Sequence, residues 1–331
     1  MLVMKFKEVI NCMFTNWYPS FKDITIKSIA IHLSESVCEY LLSDGVVLPD
    51  EKDSHRENVA SHRDSDEEVD WENEAEHNTL EPPSFPDFEE EVSRCIEALG
   101  GSVFPKLDWS SPKDAAWISF DRTLHCRCIR DILLLLKSSD FVTHDLTVPF
   151  EHCTDMPVSS NQSVAYHLVL RQWQDISAES EFRCFVQNNA VIAISQRHIG
   201  VHFPHLNMQK ETICSDIMHF YHTHIEGKFA DADFTFDIWC KSRDNIMLLD
   251  FNPFGPVTDS LLFSWSELMS WPSNACEFRC VLEKDIKPDP YRWYAMPQDF
   301  VHLSTGEDPT KLLDLLNVKV QDRNEEESDS D

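Results

Sequence analysis

The chain has 331 residues, 42% hydrophobic and 11% aromatic, enough to bury the core of one large domain or two ordinary ones. Its 58 acidic residues against 28 basic ones give a formal net charge of −30, which disfavours nucleic acid and anionic membranes and favours basic proteins or soluble ligands. The longest apolar run, Ile132 to Leu136, is far too short to span a bilayer. Charge interrupts the segment Met1 to Glu8 too early for a signal peptide, and the eleven cysteines include no C-x-x-C, Cys126-Arg127-Cys128 being the only close pair. The expectation is a soluble, cytoplasmic monomer with reduced thiols.

In chain order, Phe14, Trp17, Tyr18 and Phe21 read as an aromatic-rich turn ahead of a strand over 24–29. Ser34 to Leu42 is a short helix with a serine cap. From Asp50 to about Thr79 acid, Ser and His dominate, the composition of a disordered insertion, closed by Pro82-Pro83-Ser84-Phe85-Pro86. Phe88 to Leu99 is an amphipathic helix stopped by Gly100-Gly101. Ser102 to Trp109 reads as a strand delivering Lys106 into a polar loop, 110–114, followed by another strand, Ala116 to Phe120. Asp131 to Leu136 is helical, and Ser138 to Val142 is a loop or strand. Val164 to Trp173 alternates as a strand. Two more follow, Glu181 to Val186 and Ala190 to Arg197, joined at Asn188-Asn189. Lys210 to His224 has helical periodicity. Leu261 to Met269 and Thr310 to Leu316 are expected helices, 271–298 is poorly patterned, and 321–331 is an acidic tail.

The most informative stretch is a hairpin. Asp233 to Trp239 and Ile246 to Gly255 flank the polar break Lys241-Ser242-Arg243-Asp244-Asn245. Under strict alternation Asp250 and Asn252 share a face with Ile246 and Leu248, while Met247, Leu249 and Phe251 share the other. A turn centred on Arg243-Asp244 sets Asp237 directly opposite Asp250; a longer loop sets it diagonally. Either way Asp237, Asp250 and Asn252 converge. Two carboxylates and an amide are hard donors suited to magnesium held with substrate phosphates, and poor ligands for zinc. The competing reading is that polar residues end a strand where it meets solvent.

A nucleotide polyphosphate would also need cations, for which Lys106, Lys113, Arg171, Arg183 and Arg197 are candidates. Arg171-Gln172-Trp173-Gln174 could supply a slot for an adenine ring. Each has a structural counterpart: Arg183 paired with Glu181, Lys106 at the surface, Trp173 in the core. His219, His222 and His224 lack the further ligands of a zinc site. The seven glycines form no P-loop, dinucleotide-binding or serine-hydrolase motif.

Val103-Phe104-Pro105-Lys106-Leu107, Trp109-Ser110, Lys137-Ser138-Ser139-Asp140-Phe141, Glu181-Phe182-Arg183-Cys184-Phe185-Val186, Ile194-Ser195-Gln196-Arg197 and Asp250-Phe251-Asn252-Pro253-Phe254-Gly255 resemble, in order, segments of the cell division cycle protein 123 family. So do Trp17-Tyr18-Pro19, Val257 to Phe263 and Leu303 to Asp308. The resemblance spans nearly the whole chain and implies an α+β, ATP-grasp fold whose two lobes hold nucleotide between them. It implies ATP and Mg2+ as cofactors. It also implies an assembly chaperone of eukaryotic translation initiation factor 2, binding the C-terminal domain of the gamma subunit and promoting its joining with the alpha and then the beta subunit.

Carried onto matching positions, Asp237, Asp250 and Asn252 become the magnesium ligands. Lys106, Trp109, Ser111, Lys113 and Asp114 line the nucleotide from one lobe; Arg171, Gln172, Trp173, Gln174, Glu181, Arg183 and Gln196 line it from the other lobe and the hinge. The implied layout is a first lobe from 1–49 and 81–170, an acidic insertion at 50–80, a second lobe at 171–316 and an acidic tail at 317–331. Lys113 stands where the family has Arg, Pro256 where it has an acid, and 271–290 fit poorly. Two other readings stay open: an ATP-grasp carboxylate–amine ligase, for which no acceptor pocket is recognisable, and a nucleotide-independent protein-binding module.

Overall fold

The computed structural model describes residues 4–49, 83–155, 164–243, 245–272 and 276–282. The expected insertion, the helix at Thr310–Leu316 and the acidic tail lie outside these residues. The chain begins with two helices, α1 (Phe6–Asn11) and α2 (Phe14–Phe21). The second replaces the expected aromatic turn. Phe14, Trp17 and Phe21 fall on one helical face, and Trp17 and Phe21 pack against Phe251 at ring-centroid distances of 5.4 and 5.1 Å. That burial offsets the cost of Pro19 inside the helix. Residues 22–24 form a 3-10 turn, so the expected strand starts only at Ser28.

A small antiparallel sheet comprises β1 (Ser28–His32), β2 (Val103–Lys106) and β3 (His167–Gln172) in the order β1-β3-β2. Its helical cover is α3 (Glu35–Leu42), α4 (Pro86–Ala98), α5 (Ile129–Lys137) and α6 (Asp140–Thr147). Central β3 is buried on both faces: Leu168 and Leu170 join the core beneath these helices, whereas Val169 joins the core of a second sheet. In register Lys106 lies opposite Val169 and Phe104 opposite Arg171. Lys106 and Arg171 therefore share the face turned towards the second sheet. That parity is the origin of the site.

The second sheet contains β4 (Glu181–Gln187) and β5 (Ala190–Gln196), covered by α7 (Pro204–Phe220) and a π turn, Tyr221–Ile225. It continues with β6 (Phe234–Ser242) and β7 (Asn245–Pro253), then α8 (Trp265–Met269) and the short β8 (Glu277–Arg279). The strand order is β7-β6-β4-β5-β8, antiparallel except for β5 with β8. Asn188 and Asn189 both adopt positive φ, 51° and 58°, as a tight two-residue hairpin requires. One face packs α2, α7 and the π turn; the other buries Phe185, Ile192 and Ala193 against Phe254, Phe263 and Leu268. The aromatic residues of α2 thus belong to the core of the larger sheet, not to the lobe expected for 1–49.

Three further expectations change. Residues 113–118 form a 3-10 turn where a strand was expected, because buried Asp114 accepts bonds from Ser139 Oγ (2.6 Å) and the Asp140 backbone N–H (2.7 Å). Those bonds tie the loop to the start of α6, a helix where a loop or strand was expected. Ser139 caps it, accepting from the Val142 N–H. The helix expected from Leu261 is confined to α8, which begins after a reciprocal capping pair of Ser264 and Glu267.

Candidate functional site

The hairpin β6–β7 pairs Asp237 directly with Asp250, as a turn at Arg243-Asp244 demands, but it does so through two compensating irregularities. The first shifts the register between Cys240 and Ser242; the second restores it between Asp237 and Ile238, leaving Leu249 bulged on β7. The bulge changes which residues share a face. Ile246, Leu248 and Phe251 enter the core, while Met247 and Leu249 lie with Trp239 and Ile26 on the opposite side. Asp250 therefore leaves the face of Ile246 and Leu248, where strict alternation had put it. Asp250 and Asn252 join the face of Asp237 and Thr235, their register partners.

This face meets the small sheet. The bulge frees the Leu249 carbonyl, which accepts a bond from Arg171 Nη1 at 2.7 Å. Thr25 Oγ1 donates to the Leu248 carbonyl at 2.6 Å and accepts from Arg171 Nη2 at 3.1 Å. The edge strand β7 is thus latched by a loop residue and by β3. Thr25→Val removes both bonds while keeping the shape. It is expected to destabilise the protein by about 1–3 kcal/mol, the range for leaving buried polar groups unmatched. Equilibrium urea unfolding measures this, and an unchanged midpoint would show that the latch contributes nothing.

Next to the latch, Lys106, only 2% exposed, places Nζ 3.0 Å from Asp250 Oδ2. Arg183 grips Asp237 with Nε and Nη2, each 2.7 Å from a carboxylate oxygen, and its Nη1 donates to the Asp259 carbonyl. Arg197 Nε lies 3.7 Å from Asp237. Burial pushes the Asp237 carboxyl up, but Arg183, Arg197 and Lys113 together hold it below its ordinary value. Burial also pushes Asp250 up. There Lys106 and Arg171 only partly compensate, Asp237 repels it, and the group stays above its ordinary value. Burial and the neighbouring Arg197 bring Lys113 down to about 8, against the pull of Glu181 and Asp237. Glu181, bonded to His198 at 2.8 Å, is held low despite its own burial.

The structure thus brings together Lys106, Lys113, Arg171, Glu181, Arg183, Arg197, Asp237 and Asp250, with Asn252 on the same strand face. The other expected residues make contacts of their own. Trp109 donates to the Val9 carbonyl and packs edge-on against Phe150. Asp114 anchors α6, and the Ser111 carbonyl accepts from the Lys113 N–H. Gln172 ends β3; half-buried Trp173 stacks on His125 at 4.4 Å, and Gln174 is half-buried beside it. Gln196 donates to the carbonyls of His198 and Val201 and accepts from the Val281 N–H, fastening the chain around β8. Sequence reasoning missed Thr25, Thr235 and His198. Thr235 was within reach, because it sits two residues before Asp237 on the same strand.

Three observations bear on what this centre can hold. Five cations, Lys106, Lys113, Arg171, Arg183 and Arg197, face three carboxylates, Glu181, Asp237 and Asp250. A buried surplus of positive charge favours an anion. Arg171 Nε and Thr235 Oγ1 are buried with no hydrogen-bond partner among the described residues. Asp237, Asp250 and Asn252 offer hard oxygens on one face, whereas no group of three His, Cys, Asp or Glu residues that could hold a metal occurs among the described residues. These residues fit a divalent cation only if an anion shares the site and supplies further oxygens.

The fold and site define a class: a two-sheet α+β protein with a buried cation–carboxylate centre where its sheets meet. The chain belongs to the D123 family, whose sequence profile matches residues 17–304. It is 46% identical over 344 aligned residues to a "Translation initiation factor eIF2 assembly protein" of Xenopus tropicalis, covering 99% of this chain and all of that one. A protein of the same name from Dictyostelium discoideum is 33% identical, covering 96% of this chain and 98% of that one. Among solved structures, Cdc123 from Schizosaccharomyces pombe superposes with a TM-score of 0.68 at 34% identity, covering 86% of this chain and all of that one. No helix among the described residues is long and apolar enough to cross a membrane.

Proposed function

We propose that this chain is an ATP-grasp assembly chaperone of eukaryotic translation initiation factor 2 that binds ATP and Mg2+. Its partner is the C-terminal domain of the gamma subunit, and its task is to promote joining with the alpha and beta subunits in the cytoplasm. The observation that carries the nucleotide part is the surplus of buried cations around hard oxygen donors, in a protein whose net charge is −30. The names of relatives that match along nearly the whole chain carry the assembly part.

In this reading Asp237, Asp250 and Asn252 hold Mg2+, which supplies positive charge to phosphate oxygens when bound. Lys106, Lys113, Arg171 and Arg183 neutralise the phosphate oxygens that the metal does not reach. Trp109, Ser111, Asp114, Gln172, Trp173, Gln174, Glu181 and Gln196 complete the nucleotide surroundings. Lys106, Arg171 and Asp250 belong to strands of different sheets, so an anion held among them favours one arrangement of the two sheets. A partner surface that spans both would respond to that choice.

The test is gamma-subunit capture by the full chain with and without Mg-ATP. Tighter capture with Mg-ATP supports the proposal; equal capture in both conditions leaves only nucleotide-independent binding. A pH profile follows from Lys113. It is cationic below about 8 and increasingly neutral above. Affinity for Mg-ATP is therefore expected to fall as pH rises through that value, by at most about tenfold per pH unit. Lys113→Arg stays charged and should flatten the profile in calorimetric titrations; an equally steep fall in the variant would exclude Lys113 as its source.

A further inference from the structure

Thr235 is an unexpected residue for its place on β6. It is fully buried, at 0% exposure, while its strand neighbours Phe234 and Phe236 point the other way, into the core beneath α7. Its partner on β4 is Phe185, which packs edge-on against Phe263 and Trp265 at ring-centroid distances of 5.8 and 5.9 Å. Its partner on β7 is Asn252. A buried strand position beside aromatic rings suits valine or isoleucine. A threonine there carries a hydroxyl that has to be matched, yet Oγ1 is enclosed with no hydrogen-bond partner among the described residues. The fold alone gives that hydroxyl no task.

The strand register narrows what can match it. Directly paired residues of an antiparallel sheet hold their Cβ atoms about 4.5–5.5 Å apart on one face. Phe185 is apolar, so the polar strand neighbours of Thr235 on this face are Asn252 opposite it and Asp237 two residues along β6. Both oxygens of Asp237 already accept from Arg183 at 2.7 Å. The half-buried Asn252 differs, because its amide makes no hydrogen bond among the described residues. An asparagine can ligate a cation only through its carbonyl oxygen, and its two N–H donors then need an acceptor on the other side.

We propose that Thr235 is a positioning residue for the metal: its hydroxyl accepts from the Asn252 amide N–H and so turns the Asn252 carbonyl oxygen towards the ion. This role depends on Asp237, Asp250 and Asn252 holding Mg2+, as proposed above. The two ends of an amide are nearly the same size, so whichever end finds a protein partner leaves the other for the ligand. A hydroxyl can also donate to the amide oxygen, which would turn the NH2 group towards the carboxylates. A cation beside Asp237 and Asp250 excludes that arrangement, because it attracts the oxygen and repels the amide hydrogens. The hydroxyl is therefore unmatched without the ion and matched with it, so removing it has opposite effects on the two states.

The experiment is a thermal-unfolding titration of the full chain with Mg2+ at saturating ATP. Thr235→Val exchanges the hydroxyl for a methyl at nearly constant volume. Without Mg2+ the variant should melt at the wild-type temperature or above it, because an unmatched buried hydroxyl is gone. The Mg2+ concentration that gives half of the thermal shift should rise by about 10–100-fold, the usual loss when the bond supporting a metal ligand is removed. Thr235→Ser keeps the hydroxyl and should titrate closer to the wild type than to the valine variant. A lower metal-free melting temperature with an unchanged Mg2+ midpoint would make Thr235 a packing residue and overturn the proposal. Asn252→Ala tests the metal assignment itself. If that variant titrates like the wild type, or the wild type shows no Mg2+-dependent shift, neither the assignment nor the role of Thr235 survives. If Asn252→Ala loses affinity and Thr235→Val does not, the assignment stands and the role of Thr235 is lost. In the double variant Thr235→Val should add no loss to that of Asn252→Ala; additive losses would show that Thr235 does not act through Asn252.

Discussion

Asp250→Ala is expected to weaken Mg-ATP binding beyond calorimetric detection, by more than about 100-fold, corresponding to roughly 3 kcal/mol or more. The sign of the effect carries the argument. A carboxylate repels phosphate, so removing Asp250 should strengthen the binding of a bare polyphosphate to the cations around it. It weakens binding only if a cation sits between the carboxylate and the phosphates. Titrations of ATP with and without Mg2+ separate the cases: the variant should lose the Mg-ATP complex yet hold metal-free ATP as well as the wild type or better. The substitution also strands Lys106, which is 2% exposed and pairs with Asp250 at 3.0 Å. An unpaired buried ammonium destabilises a fold by about 3–5 kcal/mol, so thermal unfolding must accompany the titration. Asp250→Asn keeps the shape and one oxygen and should unfold closer to the wild type. If that variant binds Mg-ATP normally, Asp250 does not hold the metal.

Much of this centre was legible because its strands alternate. The pattern over Glu181 to Val186 and Ala190 to Gln196 sets both strands and their turn, since Asn188-Asn189 tolerates the left-handed backbone that a two-residue hairpin needs. The pairing of Asp237 with Asp250 agrees with the shorter of the two loops the sequence allows, but only because the two register shifts between the loop and Asp237 cancel. The face that Asp250 occupies was not legible. Alternation assumes an unbroken ladder, and the bulge at Leu249 reverses parity beyond it. The bulge depends on Arg171 and Thr25, which take the displaced carbonyls from more than 70 residues away in sequence. No local signal encodes that.

Helix α2 was obscured for a related reason. Phe14, Trp17 and Phe21 have helical spacing, but aromatic residues and Pro19 argue locally for a turn, and only Phe251 on a distant strand makes the helix worthwhile. Asp114 shows the same limit, because its role as an anchor for α6 depends on Ser139 and Asp140 being brought to it. Residue type identified the charged groups well; whether each faces a ligand or a helix end is a tertiary fact.

Arg183→Met is expected to be the most destabilising substitution in the centre. Two bonds of 2.7 Å tie Arg183 to a nearly buried carboxylate, and the nearest remaining cation, Arg197, stands 3.7 Å away. Breaking such a pair from one side costs about 3–5 kcal/mol, because the surviving charge stays desolvated. The pH dependence should change sign. In the wild type Asp237 is held low, so its contribution to stability is present above the ordinary carboxylate range and is lost as pH falls through its folded value. In the variant burial dominates and raises the group, so stability should increase as pH falls from 7 towards 5. Adding Asp237→Asn removes the stranded charge; the double variant should recover part of the loss, and a thermodynamic cycle over the four proteins gives the coupling. Magnesium distinguishes a structural pair from a metal site. If Asp237 belongs to the ion's ligands, Mg2+ should raise the melting temperature of Arg183→Met by supplying the missing positive charge, and leave the double variant unmoved. Equal responses to Mg2+ in the two proteins would reduce Asp237 to the partner of Arg183 and shift the metal reading onto Asp250 and Asn252 alone.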